Sequence, residues 1–118
     1  MVDDDPAVLK VLKRALESAG FQVLEAGDGK TAVARMEEKP DLVIQDLILK
    51  DITGYDLVSK LRARAQDTKV PFLALSGYMA MPDTPWDTSA GFDALLVKPI
   101  KPGELVETVR QWLEKRKG

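Results

Sequence analysis

Short apolar runs alternate with amphipathic helical segments along nearly the whole chain, and this alternation restricts the fold more than any other feature. Parallel strands need long crossover connections, which are usually helices. The alternation therefore predicts an α/β fold in which a parallel sheet is covered by helices on both faces. The predicted strands are 21–26, 42–45, 72–75 and 94–97, and the predicted helices are 6–19, 31–38, 55–64, 102–115 and a short one from about 85 to 90.

The start of the first helix is the clearest boundary in the sequence. Asp5 is a good N-cap residue, and Pro6 suits the first helical turn. Only Met1 and Val2 stand before the acidic residues that precede this helix. We therefore expect the first strand of the sheet to be truncated.

Length and composition limit the classes of function. At 118 residues the chain is expected to form one domain, residues 1–118, and its 45% apolar and 31% charged residues are typical of a globular protein. The apolar runs are too short to cross a bilayer, and no signal-peptide pattern is present, which favours the cytoplasm. A formal charge of −2 gives little support for direct binding of nucleic acid. The chain has no Cys and no His, which excludes disulfides, thiolate metal sites and His-based catalysis.

Polar side chains stand where the apolar runs stop. Asp46 ends the run 42–45, and a carboxylate at the end of a buried strand is costly unless something requires it. The acidic residues 3–5, Ser76 and Lys98 follow three other apolar runs in the same way. Because the carboxyl ends of parallel strands share one edge of a sheet, these groups are predicted to converge on one small site.

This set of groups suits phosphate and Mg²⁺. Mg²⁺ prefers oxygen ligands and is commonly held by one or two carboxylates, here Asp4 and Asp46, with Asp3 acting through water. A carboxylate beside Mg²⁺ is also a suitable phosphoryl acceptor, and Asp46 is the natural nucleophile. Lys98 and Ser76 would then supply a charge and a hydroxyl to the arriving phosphoryl group.

The order and spacing of five motifs resemble the receiver domain of two-component response regulators over nearly the whole chain. In that family an acidic pocket comes first, followed by a phosphoacceptor strand and its loop, a switch hydroxyl and a lysine before proline. The matching segments here are Val2-Asp3-Asp4-Asp5-Pro6, Asp41-Leu42-Val43-Ile44-Gln45-Asp46, Asp51-Ile52-Thr53-Gly54, Leu75-Ser76-Gly77 and Val97-Lys98-Pro99.

The resemblance implies a flavodoxin-like doubly wound parallel sheet of five strands in the order 2-1-3-4-5. It implies phosphorylation of Asp46 by a histidine kinase or phosphotransfer protein, with Mg²⁺ bound by Asp4, Asp46 and the backbone carbonyl of Ile48. It further implies a cis peptide between Lys98 and Pro99. A downstream effector, a homodimer in some states and no catalysis beyond self-phosphorylation and self-dephosphorylation are also implied by the resemblance.

The chain departs from the family pattern at two positions near the site. Lys50 replaces the usual proline, which predicts a looser loop after the acceptor. Leu95 replaces the usual aromatic ring, and an aliphatic side chain is not expected to act as the rotating aromatic switch of the family.

Three other functions compete with the receiver interpretation. A degenerate receiver would bind its partner without phosphorylation, as the short first strand and Leu95 allow. A small Mg²⁺-dependent aspartyl phosphatase usually carries a second acid where Ile48 stands. A flavodoxin-type redox module would need a Ser/Thr/Gly-rich phosphate loop after the first strand, and the sequence has none there.

Overall fold

The fold is seen in a computed structural model, which describes residues 1–47, 49, 51–65, 69–77 and 91–117. Helices and strands alternate along the described part of the chain, as the sequence predicts. The short helix expected from about 85 to 90 lies outside the described residues. The elements are α1 (Pro6–Ser18), α2 (Gly29–Arg35), a 3-10 helix (Met36–Glu38), β1 (Val43–Asp46), α3 (Gly54–Arg64), β2 (Phe72–Gly77), β3 (Ala94–Lys98) and α4 (Pro102–Lys117).

The sheet is parallel, and its order agrees with the expected one. Strand β2 lies between β1 and β3 and pairs with both in parallel. On the other side of β1, Val2 forms isolated parallel bridges with Gln45 and with Ala26. Across the sheet the order is therefore Ala26, Val2, β1, β2 and β3, which confirms the flavodoxin-like order 2-1-3-4-5.

The predicted strand over residues 21–26 is wrong except at Ala26. Residues 21–25 form no ladder, and Ala26 takes part in a single bridge with Val2. Their neighbour in the sheet is the segment of residues 1–3. Only three backbone hydrogen bonds join these two described segments: Met1 N to Leu24 O, Ala26 N to Met1 O and Asp3 N to Ala26 O. A ladder requires several consecutive pairs, so the pattern of apolar residues alone does not produce a strand here.

The helix ends follow local capping chemistry. The Asp5 carboxylate accepts a hydrogen bond from Ala7 N at 3.0 Å, which makes Asp5 the N-cap predicted for α1. Thr53 caps α3 by accepting from Asp56 N at 3.2 Å. These caps fix where each helix begins relative to the strand that precedes it.

Two apolar clusters lie on the two faces of the sheet, because successive strand residues point to opposite faces. Helices α1 and α4 cover one face, where Leu12, Leu16, Ile44, Leu73, Leu75, Leu105 and Val109 are buried. Helices α2 and α3 cover the other face, where the buried residues include Met36, Val43, Leu57, Val58, Leu61 and Phe72. Within the described residues, no helix is both long enough and apolar enough to cross a bilayer.

Candidate functional site

The predicted site residues come from the carboxyl ends of neighbouring sheet segments. Asp3 follows the bridge residue Val2, Asp46 is the last residue of β1, and Lys98 is the last residue of β3. Since these segments run parallel, their ends lie at one edge of the sheet. Residues separated by up to 95 positions in the chain are thereby brought into contact.

Lys98 joins two of the acids directly. Its Nζ donates to Asp46 Oδ2 at 2.6 Å and lies 2.8 Å from Asp3 Oδ2. The Asp3 side chain is fully buried, and the side chains of Asp46 and Lys98 are 9% and 23% exposed. Removing a charged group from water costs roughly several kcal/mol per ion. Charged side chains buried in this position therefore need oppositely charged partners in direct contact.

The electrostatic environment keeps Lys98 protonated. Burial lowers the pKa of Lys98, but hydrogen bonds to Asp3 and Asp46 and the negative charges of these acids outweigh burial, so the net effect raises the pKa above its ordinary value. At neutral pH the lysine is therefore an ammonium, and it faces the carboxyl groups of Asp3 and Asp46.

Asp4 completes an acidic group that fits a divalent cation. One carboxylate oxygen from each of Asp3, Asp4 and Asp46 lies within 4.8 Å of the others. Oxygens on opposite sides of a Mg²⁺ ion are about 4.2 Å apart, since each Mg–O distance is about 2.1 Å. The three oxygens, none more than 4.8 Å from another, are therefore close enough together to share one Mg²⁺ ion. An oxygen-only donor set of this kind matches the preference of Mg²⁺.

Three further sequence expectations concern Ser76, Ile48 and the peptide bond before Pro99. Ser76 is buried at 4% exposure near the end of β2, one position beyond Leu75, which is paired with Asp46. It therefore lies at the same edge of the sheet as Asp46 and Lys98. Ile48, whose carbonyl was expected as a metal ligand, lies outside the described residues. The peptide between Lys98 and Pro99 is cis, as the family resemblance implied.

Asp3 and Asp4 differ from each other in burial and in their partners. Asp4 was expected as a direct ligand and Asp3 as an acid acting through water. In the structure Asp3 is the fully buried partner of Lys98, and its Oδ1 also accepts from Asp5 N at 3.0 Å, whereas Asp4 is half-buried. The two bridges at Val2 decide this, because adjacent residues of an extended chain point in opposite directions.

The sequence interpretation included Gln45, Gly54 and Asp51 in its motifs but did not predict their contacts, which shape the loop after Asp46. Gln45 Nε2 donates to Gly54 O at 2.9 Å, and the Asp51 carboxylate accepts from Gly29 N at 3.0 Å. In the sequence Gln45 continues the apolar run 42–44, and its amide is the one polar group that interrupts this buried strand before Asp46. Asp51 gave no such signal, because its partner is 22 residues away.

Comparisons with known proteins give a consistent result. The family described as the response regulator receiver domain matches residues 1–110. The DNA-binding response regulator MtrA of Mycolicibacterium smegmatis is 37% identical over 116 residues, which are 98% of this chain and 50% of MtrA. The transcriptional regulatory protein PrrA of Mycobacterium bovis is 38% identical over 117 residues, which are 98% of this chain and 49% of PrrA. This chain thus spans about half the length of these curated relatives.

The solved structures agree with the sequence comparisons. The CheY-like response regulator receiver domain protein of Methanospirillum hungatei superimposes with a TM-score of 0.86 at 28% identity, and the match covers 98% of this chain and 92% of that chain. Because the match covers nearly the full length of both chains, the two proteins share the whole fold and not only a part of it.

Proposed function

Because the chain belongs to the response regulator receiver domain family of two-component systems, we propose that it is an active receiver, phosphorylated on Asp46 by a histidine kinase or phosphotransfer protein in a Mg²⁺-dependent reaction. In this proposal residues 1–118 act as one receiver domain. Phosphorylation changes a surface that a downstream effector recognises. Apart from its own phosphorylation and dephosphorylation, the domain has no enzymatic activity.

One observation supports this proposal most directly. Lys98 lies between Asp46 and Asp3, while the oxygens of Asp3, Asp4 and Asp46 stay within 4.8 Å of one another. The lysine and the acidic group therefore share Asp46, and in this proposal the Asp46 carboxylate stands between the Lys98 ammonium and a bound Mg²⁺ ion. A nucleophile for phosphoryl transfer needs both kinds of neighbour, because negative charge gathers on the phosphoryl oxygens during transfer.

The chemical step balances as a simple displacement. An Asp46 oxygen donates an electron pair to phosphorus, and the phosphorus–nitrogen bond of the donor phosphohistidine breaks with its electron pair returning to the imidazole. The product is an acyl phosphate on Asp46. Lys98 keeps its proton and turns an N–H toward the phosphoryl oxygens, and the Ser76 hydroxyl donates to another.

The metal has a limited and definite part in this proposal. Asp4, Asp46 and the backbone carbonyl of Ile48 would hold Mg²⁺, with Asp3 acting through water, and the bound ion would offset the charge of the arriving phosphoryl group. The chain's own residues orient the acceptor, since Asp46 N donates to Val2 O at 2.8 Å and thereby fixes the backbone beside the acidic group.

The partners are proposed from the same premise. MtrA is named as a DNA-binding response regulator, and this chain matches half of the length of MtrA. We place any DNA contact outside residues 1–118, because the chain carries a formal charge of −2. The direct partners of this domain are then the phosphoryl donor, the effector and, in some states, a second copy of the domain.

The decisive experiment is mass spectrometry after incubation with acetyl phosphate, with Mg²⁺ or with EDTA. Wild type is expected to gain one phosphoryl group only with Mg²⁺, and Asp46→Asn is expected to gain none. Asp56→Asn, which changes an exposed acid in the first turn of α3, serves as the matched control and should behave as wild type. An unmodified wild type would instead favour a receiver that binds its partner without phosphorylation.

A further inference from the structure

Gln45 is a polar residue in the middle of the apolar core. It precedes Asp46 on β1 and points to the same face as Val43, toward α2 and α3. Its side chain is fully buried, at 0% exposure. An apolar side chain of similar volume would fill this position without removing an amide from water.

Only half of the buried amide is used. The Nε2 group donates to Gly54 O at 2.9 Å, whereas Oε1 has no hydrogen-bond partner among the described residues. A buried carbonyl oxygen without a partner is destabilising. The net contribution of Gln45 to stability is therefore small or unfavourable, and its hydrogen bond has to be explained by what it holds in place.

The bond holds a close approach between the two ends of the acceptor loop. Gly54 N donates to Leu47 O at 2.8 Å, and Gly54 O accepts the hydrogen bond from Gln45. A Cβ on residue 54 would stand 2.5 Å from Leu47 Cα, so only glycine permits this approach. We call these three residues, Gln45, Leu47 and Gly54, the loop neck.

Two residues of the loop neck, Gln45 and Leu47, stand directly before and after Asp46, and hydrogen bonds hold both of them in place. On the sheet side, Leu47 N donates to Leu75 O at 2.9 Å. On the helix side, Gly54 is held by Leu47 and by Gln45 at once. The direction of the Asp46 carboxylate toward Asp3 and Asp4 thus depends on the hydrogen bond from Gln45 to Gly54 O.

We propose that Gln45 is a positioning residue for the acceptor: by holding Gly54 O it keeps the loop neck closed and so sets both the affinity of the acidic group for Mg²⁺ and the rate of phosphorylation of Asp46. This inference rests on the proposed function. A purely structural role would make Gln45 variants less stable. A positioning role changes Mg²⁺ affinity and phosphorylation rate without lowering stability.

The test replaces the amide while keeping its shape. Gln45→Met removes the donor at similar length, and Gln45→Leu is an independent second variant. Loss of one hydrogen bond of ordinary strength corresponds to about a fivefold change in an equilibrium constant. We therefore expect Mg²⁺ affinity, measured by calorimetric titration, and the phosphorylation rate with acetyl phosphate to fall about fivefold in both variants, with no decrease in the thermal midpoint.

A second measurement reads the loop neck itself. Hydrogen exchange of the Gly54 amide, followed by NMR, should become about fivefold faster in both variants. Val43→Ala is the matched control, because it empties part of the same core face two residues earlier and its apolar side chain donates no hydrogen bond to Gly54. It should lower the thermal midpoint while leaving Mg²⁺ affinity, phosphorylation rate and Gly54 exchange as in wild type.

The outcomes separate the two proposals. If wild type is phosphorylated and both Gln45 variants match it in Mg²⁺ affinity, rate and Gly54 exchange, the role of Gln45 is overturned and the proposed function stands. If wild type takes up no phosphoryl group, the proposed function is overturned, and Mg²⁺ affinity with Gly54 exchange then decides the role of Gln45. Equal losses in Val43→Ala would also overturn the role of Gln45.

Discussion

Two ionic clusters lie at opposite ends of the strands and use similar groups in different ways. At the carboxyl end, Lys98 is paired with the buried acids Asp3 and Asp46. At the amino end, Arg62 of α3 is paired with Asp93, just before β3, at 3.0 Å. Both clusters join distant parts of the chain, but only the first has the features of a reactive site.

The amino-end cluster is complete in itself. Arg62 also donates to Gly91 O at 2.6 Å and lies 4.4 Å from the centre of the Phe72 ring, while Asp93 Oδ2 accepts from Phe72 N at 2.8 Å. One base meets one acid, and about a third of each side chain is exposed. This cluster fastens α3 to the start of β2 and β3 and has no excess charge.

The carboxyl-end cluster is not complete in the same sense. Three carboxylates, those of Asp3, Asp4 and Asp46, face the single ammonium of Lys98, so the group carries an excess of negative charge. Such an excess is unfavourable in a buried place unless a cation offsets it. The two clusters thus differ in their balance of acids and bases more than in the presence of ion pairs, and only the acid-rich cluster offers oxygens for a bound cation.

The largest effect is expected from Lys98→Met. Removing the ammonium leaves buried acids without their base, and breaking a buried pair in this way costs about 3 kcal/mol. In EDTA the free energy of unfolding, measured with urea, should fall by about that amount, and Mg²⁺ should restore part of it. Lys101→Met, at an exposed lysine nearby, is the control and should change little. If Lys98→Met lowered the free energy of unfolding equally with and without Mg²⁺, the carboxyl-end cluster would respond to Mg²⁺ no more than the amino-end cluster does.

The next effect concerns the metal. At a Mg²⁺ concentration ten times Kd, binding to the folded state stabilises it by about 1.4 kcal/mol. Thermal unfolding of wild type should show this gain, and Asp4→Asn should lose most of it because one oxygen ligand is weakened. Asp93→Asn should keep the gain, since Asp93 belongs to the balanced cluster. A gain that survives in Asp4→Asn would place the cation elsewhere.

A smaller effect is expected from Arg62→Met at the amino end. The variant loses partly exposed hydrogen bonds and a cation–π contact, which together are worth about 1 kcal/mol. Urea unfolding should show the same loss in EDTA and in Mg²⁺, because no cation replaces Arg62. Dependence of this loss on Mg²⁺ would mean that the two clusters are coupled through the sheet.

The smallest effect is a dependence on alkaline pH. The folded state raises the pKa of Lys98, so the stabilisation it gives is fully present below the ordinary lysine value of about 10.4 and is lost as pH rises through the folded-state pKa. In EDTA, stability above about pH 10.4 should therefore fall more steeply in wild type than in Lys98→Met. Parallel curves for the two proteins would contradict the raised pKa.

Sequence reasoning predicted the fold and the chemistry of the site from local patterns. The alternation of apolar runs and helical stripes gave the parallel sheet, and the cap at Asp5 gave the start of α1. Local reasoning failed over residues 21–25, where the apolar pattern was present and the pairing partner was too short to form a ladder. A strand depends on its neighbour, whereas a helix satisfies its own backbone hydrogen bonds.

The amino-acid sequence by itself determined that acids, a hydroxyl and a lysine would end the strands, because strand period and burial depend on residues that are close along the chain. Only the tertiary structure decided that Asp3 instead of Asp4 pairs with Lys98, and that Gln45 holds Gly54. These choices depend on how distant segments approach one another. A difference of one position between adjacent residues reverses the direction of a side chain, and no local pattern carries that information.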